Sequence, residues 1–455
     1  MSGRLIESLA TTPTLAALFS DESVLQAMLD FETALARAEA RHGIIPTEGA
    51  GAISAAAVPG NFDISILADA TFRAGTPAIP LVKMLTDQVR KTDPEAARFV
   101  HWGATSQDVA DTAMSLLLKR AEPILIADML RLEKALADLS ERHKQSVMLG
   151  RTLLQPAPPV TFGLKAAGWL ASVHRGRRRV QKAFRVAAVL QFGGASGTLA
   201  SLGDRGIAVA EALSAELRFG DSAPAPWHTQ RDELAALICA CGVLTGSLGK
   251  MARDISLLMQ SEVGEVAEPG GDGRGGSSTM PNKRNPTGCV LTLAAAHRVP
   301  GLVASFLSAM QQEHERGVGG WQVEWPIVAA TVQSTAVAIA SMAEAAEGLS
   351  VDAQKMRLNI ENTNGAIFAE RAMMMLGAKL GRDVAHKVVE AAVRKSVKEG
   401  RHLAVVLAET PEVSTHIGRA ELKELKTPEQ YLGSAEAFRK ALASESDRED
   451  DDKEQ

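Results

Sequence analysis

The sequence contains few aromatic residues and few cysteines. Aromatic side chains make up 4% of its 455 residues, with 12 Phe, 5 Trp and one Tyr. So low a content argues against an aromatic-rich β-sandwich or barrel and against base-stacking surfaces for nucleic acid. Cys239, Cys241 and Cys289 are odd in number and lack ligand spacing, which argues against a disulfide framework and a zinc site. We therefore expect no metal and no cofactor.

The chain also lacks an excess of charge outside its last eleven residues. The formal net charge is -5, and residues 445–455 alone hold seven acidic and two basic side chains. The rest of the chain is neutral, so no global field favours nucleic acid or an anionic membrane as a partner. The acidic segment is predicted to be a disordered tail. Because no signal-peptide pattern is present, we expect a cytoplasmic protein.

Long hydrophobic runs are missing as well. The longest uncharged runs, residues 234–249 and 327–343, contain Thr, Ser or Gln and are shorter than the ~20 residues of a membrane span. We interpret them as buried bundle helices.

What the sequence does contain is helical periodicity. Apolar residues recur every three or four positions from Leu125 to Leu139, and Pro123 is predicted to start or kink that helix. Two further long helices are predicted, from Glu233 to about Val266 and over Ile327–Leu349. These patterns predict an all-α fold with a long central bundle.

The helical segments predict three domains and a tail. A helical N-terminal domain is expected over residues 1–110, a long-helix bundle domain over 111–351 and a helical C-terminal domain over 352–444. The tail follows over 445–455. Because the long helices are apolar on several sides, we expect them to be buried against other copies of the chain.

The most unusual segment is residues 268–286, which contain five glycines followed by Ser277, Ser278, Lys283 and Arg284. Such a loop could close over an anion, with backbone N–H groups and cations around it. An ordinary flexible connection is the alternative. A Walker loop is excluded, because no Gly-Lys-Ser/Thr stands at the required spacing.

Within that loop, residues 276–286 (GSSTMPNKRNP) resemble the signature of the fumarase/aspartase/adenylosuccinate lyase superfamily. Further segments agree in the same order, namely residues 101–108, 150–152 with 159–163, 229–232 and 312–316. Within the superfamily, the pattern is most similar to the bacterial 3-carboxy-cis,cis-muconate cycloisomerases. Those share the segments 190–197, 226–232 and 254–260.

The resemblance implies a three-domain helical fold and a homotetramer. Five long helices from each subunit would form a twenty-helix core, and each active site would draw on three chains. In the superfamily a base removes a proton next to a carboxylate, a charge-delocalised aci-carboxylate forms, and a β-substituent leaves. The resemblance makes Ser277 the base and Lys283 the cation that supports its alkoxide. The side chains expected to bind a small polycarboxylate substrate are His101, Thr105, Ser106, Thr152, Gln155, Gln230, Asn285, His314 and Arg316.

Simpler roles stay open for several of these residues. Thr105 and Ser106 could cap a helix, while Gln230 and Arg316 could lie at the exposed start of a helix. His101 and His314 could be structural histidines or could replace a missing acid.

One departure from the superfamily pattern selects among its reactions. Many members read Gly-Arg-Thr-His and use that histidine to protonate the leaving group, whereas this chain has Leu153 there and Pro156 three residues later. A leaving amine has a conjugate-acid pKa of ~10 and needs a proton, whereas a carboxylate, with a pKa of ~4, leaves without one. Lactonisation read backwards expels a carboxylate. The sequence therefore favours reversible lactonisation of 3-carboxymuconate to 4-carboxymuconolactone in protocatechuate degradation.

Three alternatives remain open from the sequence. They are a fumarate-releasing lyase such as an adenylosuccinate lyase, a cycloisomerase for 3-sulfomuconate, and a non-catalytic structural homologue.

Overall fold

Helices account for most of the structure, which is a computed structural model describing residues 5–220, 223–271, 273–280 and 282–445. The predicted all-α fold class is confirmed. Of the predicted acidic tail, residues 446–455 lie outside the described residues.

The described residues contain five helices of at least 23 residues. They are α6 (Ser106–Arg142), α7 (Phe162–Ala187), α9 (Asp232–Leu258), α10 (Thr287–Ala309) and α11 (Gly320–Glu347). The helices that precede α6 are α1 (Pro13–Leu18), α2 (Asp21–Arg41), α3 (Thr47–Ala56), α4 (Ile64–Ala74) and α5 (Ala78–Thr92), and α8 (Gly206–Glu216) follows α7. The helices after α11 are α12 (Ala353–Glu361), α13 (Ala369–Leu380), α14 (Arg382–Glu399), α15 (Leu403–Glu409), α16 (Pro411–Ser414), α17 (Arg419–Lys423) and α18 (Ala435–Ala443).

Two short antiparallel pairs make up the strands of the described part. Strand β1 (Val147–Thr152) pairs with β2 (Gln155–Thr161), and β3 (Val266–Ala267) pairs with β4 (Ser350–Val351). The first pair is a hairpin with a two-residue turn and a register shift between Leu149 and Gly150.

The chain forms two compact units. Among the described residues, unit 1 consists of those within 1–129, 175–249 and 291–341, and unit 2 of those within 130–174, 250–290 and 342–455. The core of unit 1 centres on α2, with apolar side chains of α3, α5, α8 and the start of α6. A core in unit 2 is formed by α13, α14 and α15 with Val147 and Leu149 of β1. The predicted division into three domains stays a prediction.

Local sequence patterns predicted that the long helices exist, but they did not predict the residues at which the helices begin and end. Pro123 lies inside α6, which continues through it, so the predicted helix start there is wrong. Buried Leu117, Leu118 and Leu125 lie on both sides of the proline, and this packing outweighs the ~3 kcal/mol cost of an interior proline. Helix α9 ends at Leu258, earlier than predicted, and α11 begins at Gly320, before the apolar run.

Three helices are longer and more apolar than the sequence reading suggested. By length and composition alone, α9, α10 and α11 could each cross a membrane. The most apolar windows of α9 and α11 are 61% and 72% buried, whereas that of α10 is only 22% buried. The uncharged runs therefore belong to helices long enough for a span, and α10 has a largely uncovered apolar surface.

Candidate active site

The first turn of α6 organises the candidate site in unit 1. The backbone N–H of Thr105 donates to Asp108 Oδ2 at 3.0 Å, so the side chain at the third helical position satisfies the amide that precedes the helix. Asp108 is fully buried and also accepts from the backbone N–H groups of Gly193 and Gly194 at 3.0 and 2.9 Å. His228 Nε2 lies 2.7 Å from the same carboxylate. Asp108 thus joins three segments of unit 1.

Arg316 is held beside this helix start. Its guanidinium donates to Thr105 Oγ1 at 3.1 Å, to Gln107 Oε1 at 3.1 Å and to the carbonyl of Gly194 at 3.4 Å. The Thr105 hydroxyl therefore binds Arg316 rather than a helix amide. Ser106 makes no side-chain hydrogen bond within the described chain, so its hydroxyl is free to bind a ligand.

A buried ion network lies one turn further along α6. Arg231 is 2% exposed and donates to both carboxylate oxygens of Asp111, at 2.8 and 3.1 Å, and to Glu324 at 2.9 Å. Trp321 Nε1 donates to Asp111 Oδ1 at 3.0 Å, and Gln312 Nε2 donates to Glu324 at 2.7 Å. The network fixes both ends of the segment 312–324, which carries Arg316 and His314.

His101 lies before the helix start in a left-handed backbone conformation, with φ 59°. Its Nδ1 atom is 2.7 Å from Oε1 of Glu32, a fully buried carboxylate on α2. Burial lowers the pKa of His101, but the charge and hydrogen bond of Glu32, together with Asp108, outweigh it and leave the pKa raised.

Ser277 in unit 2 accepts two backbone hydrogen bonds. The N–H groups of Thr279 and Met280 donate to Ser277 Oγ at 3.3 and 3.0 Å. An oxygen that accepts two amide donors is stabilised when it becomes negative. Lys283 is exposed, and its ammonium has no partner among the residues that the structure describes.

The base of this loop is fixed by a glutamate and a glycine. The carboxylate of Glu268 accepts from the N–H groups of Gly288 and Cys289 in the first turn of α10, at 2.8 Å each. Asn285 donates from its backbone to the carbonyl of Gly275 at 2.8 Å and from its side chain to that of Gly276 at 3.1 Å. Gly275 has φ 68°, and a Cβ there would lie 2.9 Å from the Asn285 carbonyl. Glycine is therefore required where the loop closes on itself.

Thr152 and Gln155 face each other across the end of the β1–β2 hairpin. The two turn residues, Leu153 and Leu154, have φ values of 50° and 64° and are 96% and 73% exposed. Such left-handed pairs are ordinarily Asn-Gly or Gly-Gly. Two leucines here are strained, exposed and unable to donate a proton.

Gln230 and His314 are exposed in unit 1. Gln230 lines a cavity of about 450 Å³ with Trp227 and Arg185, and His314 accepts from the Thr229 hydroxyl through its carbonyl at 3.1 Å. Another cavity, of about 430 Å³ beside Trp321 and Trp325, includes none of the predicted residues.

The predicted site residues divide between the two units. Unit 1 holds His101, Thr105, Ser106, Gln230, His314 and Arg316. Unit 2 holds Thr152, Gln155, Ser277, Lys283 and Asn285. Among the described side chains, no three His, Cys, Asp or Glu are grouped as metal ligands. The roles of these residues and the absence of a cofactor stay predictions.

Sequence reasoning missed the side chains that hold the site. Asp108 and Arg231 lie within segments that matched the superfamily, but no role was assigned to them. Glu32 lies in no such segment. Its only sequence signal is a glutamate among apolar residues on the inner face of α2, repeated seven positions later at Glu39.

Comparison with known proteins agrees with this fold. The lyase family profile matches residues 7–301, and the adenylosuccinate lyase C-terminus profile matches residues 365–442. This chain is therefore an enzyme of the lyase family.

Similar relatives are known from bacteria. A 3-carboxy-cis,cis-muconate cycloisomerase from Bradyrhizobium diazoefficiens is 47% identical over 95% of this chain and 96% of its own. The crystal structure of 3-carboxy-cis,cis-muconate lactonizing enzyme from Pseudomonas putida has a TM-score of 0.91 and 44% identity, covering 98% of this chain and 99% of that one. A nitrosuccinate lyase from Streptomyces davaonensis is 41% identical over 95% of this chain and 93% of its own.

Proposed function

We propose that this enzyme catalyses the reversible lactonisation of 3-carboxy-cis,cis-muconate to 4-carboxymuconolactone. The observation that carries the proposal is the hairpin tip. Leu153 stands where many lyases of the superfamily have their proton-donating histidine, and neither it nor its neighbour Leu154 can protonate a leaving group. Only a weakly basic leaving group, such as the carboxylate of a lactone, departs readily without that proton. The names of the relatives at 47% and 44% identity agree with this choice.

In the forward direction one substrate carboxylate attacks the conjugated diene. A carbon–oxygen bond forms, and the electron pair of the broken π bond moves toward another carboxylate as an aci intermediate. The Ser277 hydroxyl then gives its proton to carbon and becomes an alkoxide, which regains a proton from solvent. In the reverse direction the Ser277 alkoxide removes the carbon-bound proton, and the ring carboxylate leaves.

Serine is a weak acid and a poor base in water, so this step depends on its surroundings. The amides of Thr279 and Met280 already point at Ser277 Oγ, and they would bind the alkoxide more strongly than the neutral hydroxyl. Lys283 adds a positive charge within the same loop. Closure of the glycine-rich segment would expel water and strengthen each of these interactions.

The remaining predicted side chains suit a substrate with several carboxylates. His101, Thr105, Ser106, Gln230, His314 and Arg316 in unit 1, and Thr152, Gln155 and Asn285 in unit 2, supply hydroxyl, amide and cationic donors. Arg316 is preorganised by three hydrogen bonds, so little conformational freedom would be lost when it binds an anion.

The nitrosuccinate lyase relative supports a second candidate reaction. Nitrite is also a weak base, so its elimination from nitrosuccinate would likewise proceed without the histidine that Leu153 replaces. The hairpin therefore argues against release of a basic amine, as in adenylosuccinate cleavage, and the names of four relatives at 43–47% identity favour lactone opening over nitrite elimination.

We also propose that the enzyme is a cytoplasmic homotetramer with three domains, at residues 1–110, 111–351 and 352–444, and shared active sites. The largely uncovered surface of α10 supports burial against other copies, since apolar residues such as Val290 and Leu307 are exposed along it. No nucleic acid or membrane partner is proposed, because the body of the chain is neutral.

Replacing Ser277 tests the mechanism. In Ser277→Ala, loss of the diene's ultraviolet absorbance should slow by at least about 10²–10⁴-fold, because the proton donor is removed. Ser278→Ala removes a neighbouring exposed hydroxyl and is the matched control, which should retain most of the activity. Near-normal turnover by Ser277→Ala would contradict the assignment.

A substrate panel tests the reaction itself. The wild-type enzyme is assayed on 3-carboxymuconate, 3-sulfomuconate, unsubstituted muconate, nitrosuccinate and adenylosuccinate, with lactone, nitrite and fumarate as the measured products. We expect the highest kcat/KM for 3-carboxymuconate. Faster release of nitrite or of fumarate would show that the enzyme is an eliminating lyase and not a cycloisomerase. Inactivity of a folded oligomer on all five compounds would favour a structural role.

A further inference from the structure

Helix α2 carries two buried glutamates on its inner face. Glu32 and Glu39 are seven residues apart, so they lie two turns apart on the same side of the helix, and they are 1% and 0% exposed. Apolar side chains of the same helix, including Met28 and Leu35, surround this face. A buried carboxyl group is costly unless it has a partner, so each needs a reason to be there.

Glu32 has a partner at the candidate active site. Its Oε1 atom lies 2.7 Å from Nδ1 of His101, which is 69 positions away in the sequence. The His101 side chain is 17% exposed, whereas that of Glu32 is fully buried. The second ring nitrogen, Nε2, makes no hydrogen bond within the described part of the chain. One nitrogen of the imidazole therefore contacts a buried carboxylate, and the ring keeps a second nitrogen without a partner among the described residues.

The backbone at His101 indicates that this placement is imposed by its surroundings. A φ of 59° lies in the left-handed region, which favours glycine and which other residues adopt at a cost in energy. Gly103, two residues later, is also left-handed. The segment thus bends so that the ring reaches Glu32 before the chain enters α6.

The charges around the pair favour a protonated imidazole. Burial lowers the pKa of His101, but the negative charges of Glu32 and Asp108 raise it by more, so that the pKa lies above its ordinary value. Burial and the charge of Glu32 raise the pKa of Glu39 to about 9, so Glu39 is neutral at pH 7. Of the two buried glutamates on α2, Glu32 is the one that contacts His101.

The other charged groups near the helix start are already paired. The Asp108 carboxylate binds two backbone amides and His228, and Arg316 binds Thr105, Gln107 and Gly194. Glu32 is therefore the carboxylate that bonds directly to the His101 ring.

We infer that Glu32 is a positioning residue that holds His101 as a cation, with the Nε2–H group aimed to donate to a carboxylate of the substrate. An imidazolium has two N–H donors, and Glu32 occupies one of them. The other gives a charge-assisted hydrogen bond, which suits an anionic oxygen. This role for Glu32 rests on the proposed polycarboxylate substrate, because a neutral substrate would gain little from it.

The charge on His101 makes substrate binding depend on pH. Substrate binding through His101 is fully present below the raised pKa of the ring and is lost as the pH rises through it. In Glu32→Gln the amide oxygen can still accept from Nδ1–H, but the negative charge is gone, so burial dominates and lowers the pKa. Loss of binding should then begin at a lower pH.

Glu32→Gln and Glu39→Gln form a matched pair for the test. Both change a buried glutamate on α2 to its neutral isostere, but Glu39 is already neutral at pH 7. For Glu32→Gln we expect the alkaline limb of kcat/KM to move down by about one pH unit or more, mainly through KM, with KM recovering toward the wild-type value near pH 6. Glu39→Gln should leave the limb in place.

A spectroscopic titration separates this inference from the proposed function. In the wild-type enzyme labelled at histidine, the NMR signal of His101, assigned with a His101→Gln variant, should titrate above the ordinary histidine range, and in Glu32→Gln below it. An unchanged kinetic limb in folded Glu32→Gln, or a neutral His101 at pH 7 in the wild type, overturns the inference. If 3-carboxymuconate is not turned over, the proposed function fails, while the wild-type titration still decides the state of the pair.

Discussion

Three buried carboxylates, Glu32, Asp108 and Asp111, each hold a different group of the candidate site in unit 1. Glu32 binds the imidazole of His101, and Asp108 binds two backbone amides and His228. Asp111 binds Arg231 and the indole of Trp321. Removing any one of them would leave buried donors without acceptors, which costs about 1–3 kcal/mol for each neutral group and more for a charged one. The side chains expected to touch substrate are therefore held by residues that need not touch it.

Glu39 differs from these residues, because both of its carboxyl oxygens are buried with no hydrogen-bond partner among the described residues. Its pKa of about 9 lies above the ordinary value of 4.5, so the native state binds its proton more tightly than the unfolded state. The stabilising contribution of the protonated group is complete below pH 4.5 and is lost as the pH rises toward 9.

Glu39→Gln should abolish this pH dependence. Between pH 4.5 and pH 7, the unfolding free energy of the wild type should fall by about 3 kcal/mol relative to that of Glu39→Gln. Urea unfolding at a series of pH values measures it, with Glu48→Gln, an exposed glutamate on α3, as the control. A difference that does not change with pH would contradict a protonated Glu39.

At the scale of elements, the β1–β2 hairpin has a turn that its residues do not favour. Leu153 and Leu154 both adopt left-handed backbone angles, at a cost of about 1–2 kcal/mol for each residue other than glycine. They also expose most of their apolar surface. We therefore expect these side chains to contact a molecule outside the chain, such as the substrate, because they do not stabilise the turn itself.

Replacing the turn should therefore separate stability from activity. In the double variant Leu153→Asn, Leu154→Gly, we expect the unfolding free energy to rise by about 1–2 kcal/mol, because Asn-Gly favours this turn. The value of kcat/KM on 3-carboxymuconate should fall by about tenfold or more, equivalent to the loss of roughly 1.4 kcal/mol of apolar contact. Leu153→Ala with Leu154→Ala is the control that keeps the strain and removes the side chains. Full activity in both variants would show that the leucines are dispensable.

Elements with a strong local pattern could be predicted, whereas their ends could not. The periodicity from Leu125 to Leu139 located α6, but the helix begins at Ser106 because Asp108 caps Thr105. Helix α11 starts before its apolar run, at Gly320, and Glu324 in this early part of the helix is paired with Arg231. A cap or an ion pair between distant residues leaves no periodic signal.

At the scale of the whole molecule, the apolar content of the long helices exceeds what one chain covers. Helix α10 carries Arg298 as its one formally charged residue, and its most apolar window is 22% buried. A stable interface between copies of the chain that covers α10 is expected to be well packed and apolar at its centre.

A charge placed on α10 tests the proposed tetramer. Light scattering after size-exclusion chromatography should give the wild type the mass of four 48.1 kDa chains. Leu307→Glu should shift the protein to smaller species and lower its activity, because the proposed active sites are shared between chains. Val397→Glu on α14 replaces another exposed apolar residue and should change neither. A wild-type monomer with full activity would contradict the tetramer.

The sequence by itself determined the helical class, the long helices and the loop that carries Ser277, Lys283 and Asn285. These features are local, because periodicity, glycine content and a contiguous motif are properties of neighbouring residues. Only the tertiary structure decided that Asp108 joins α6 to the segments of Gly193 and His228, and that Glu32 meets His101. Those contacts link residues 69 to 120 positions apart, so they depend on how the helices pack rather than on any pattern within one helix.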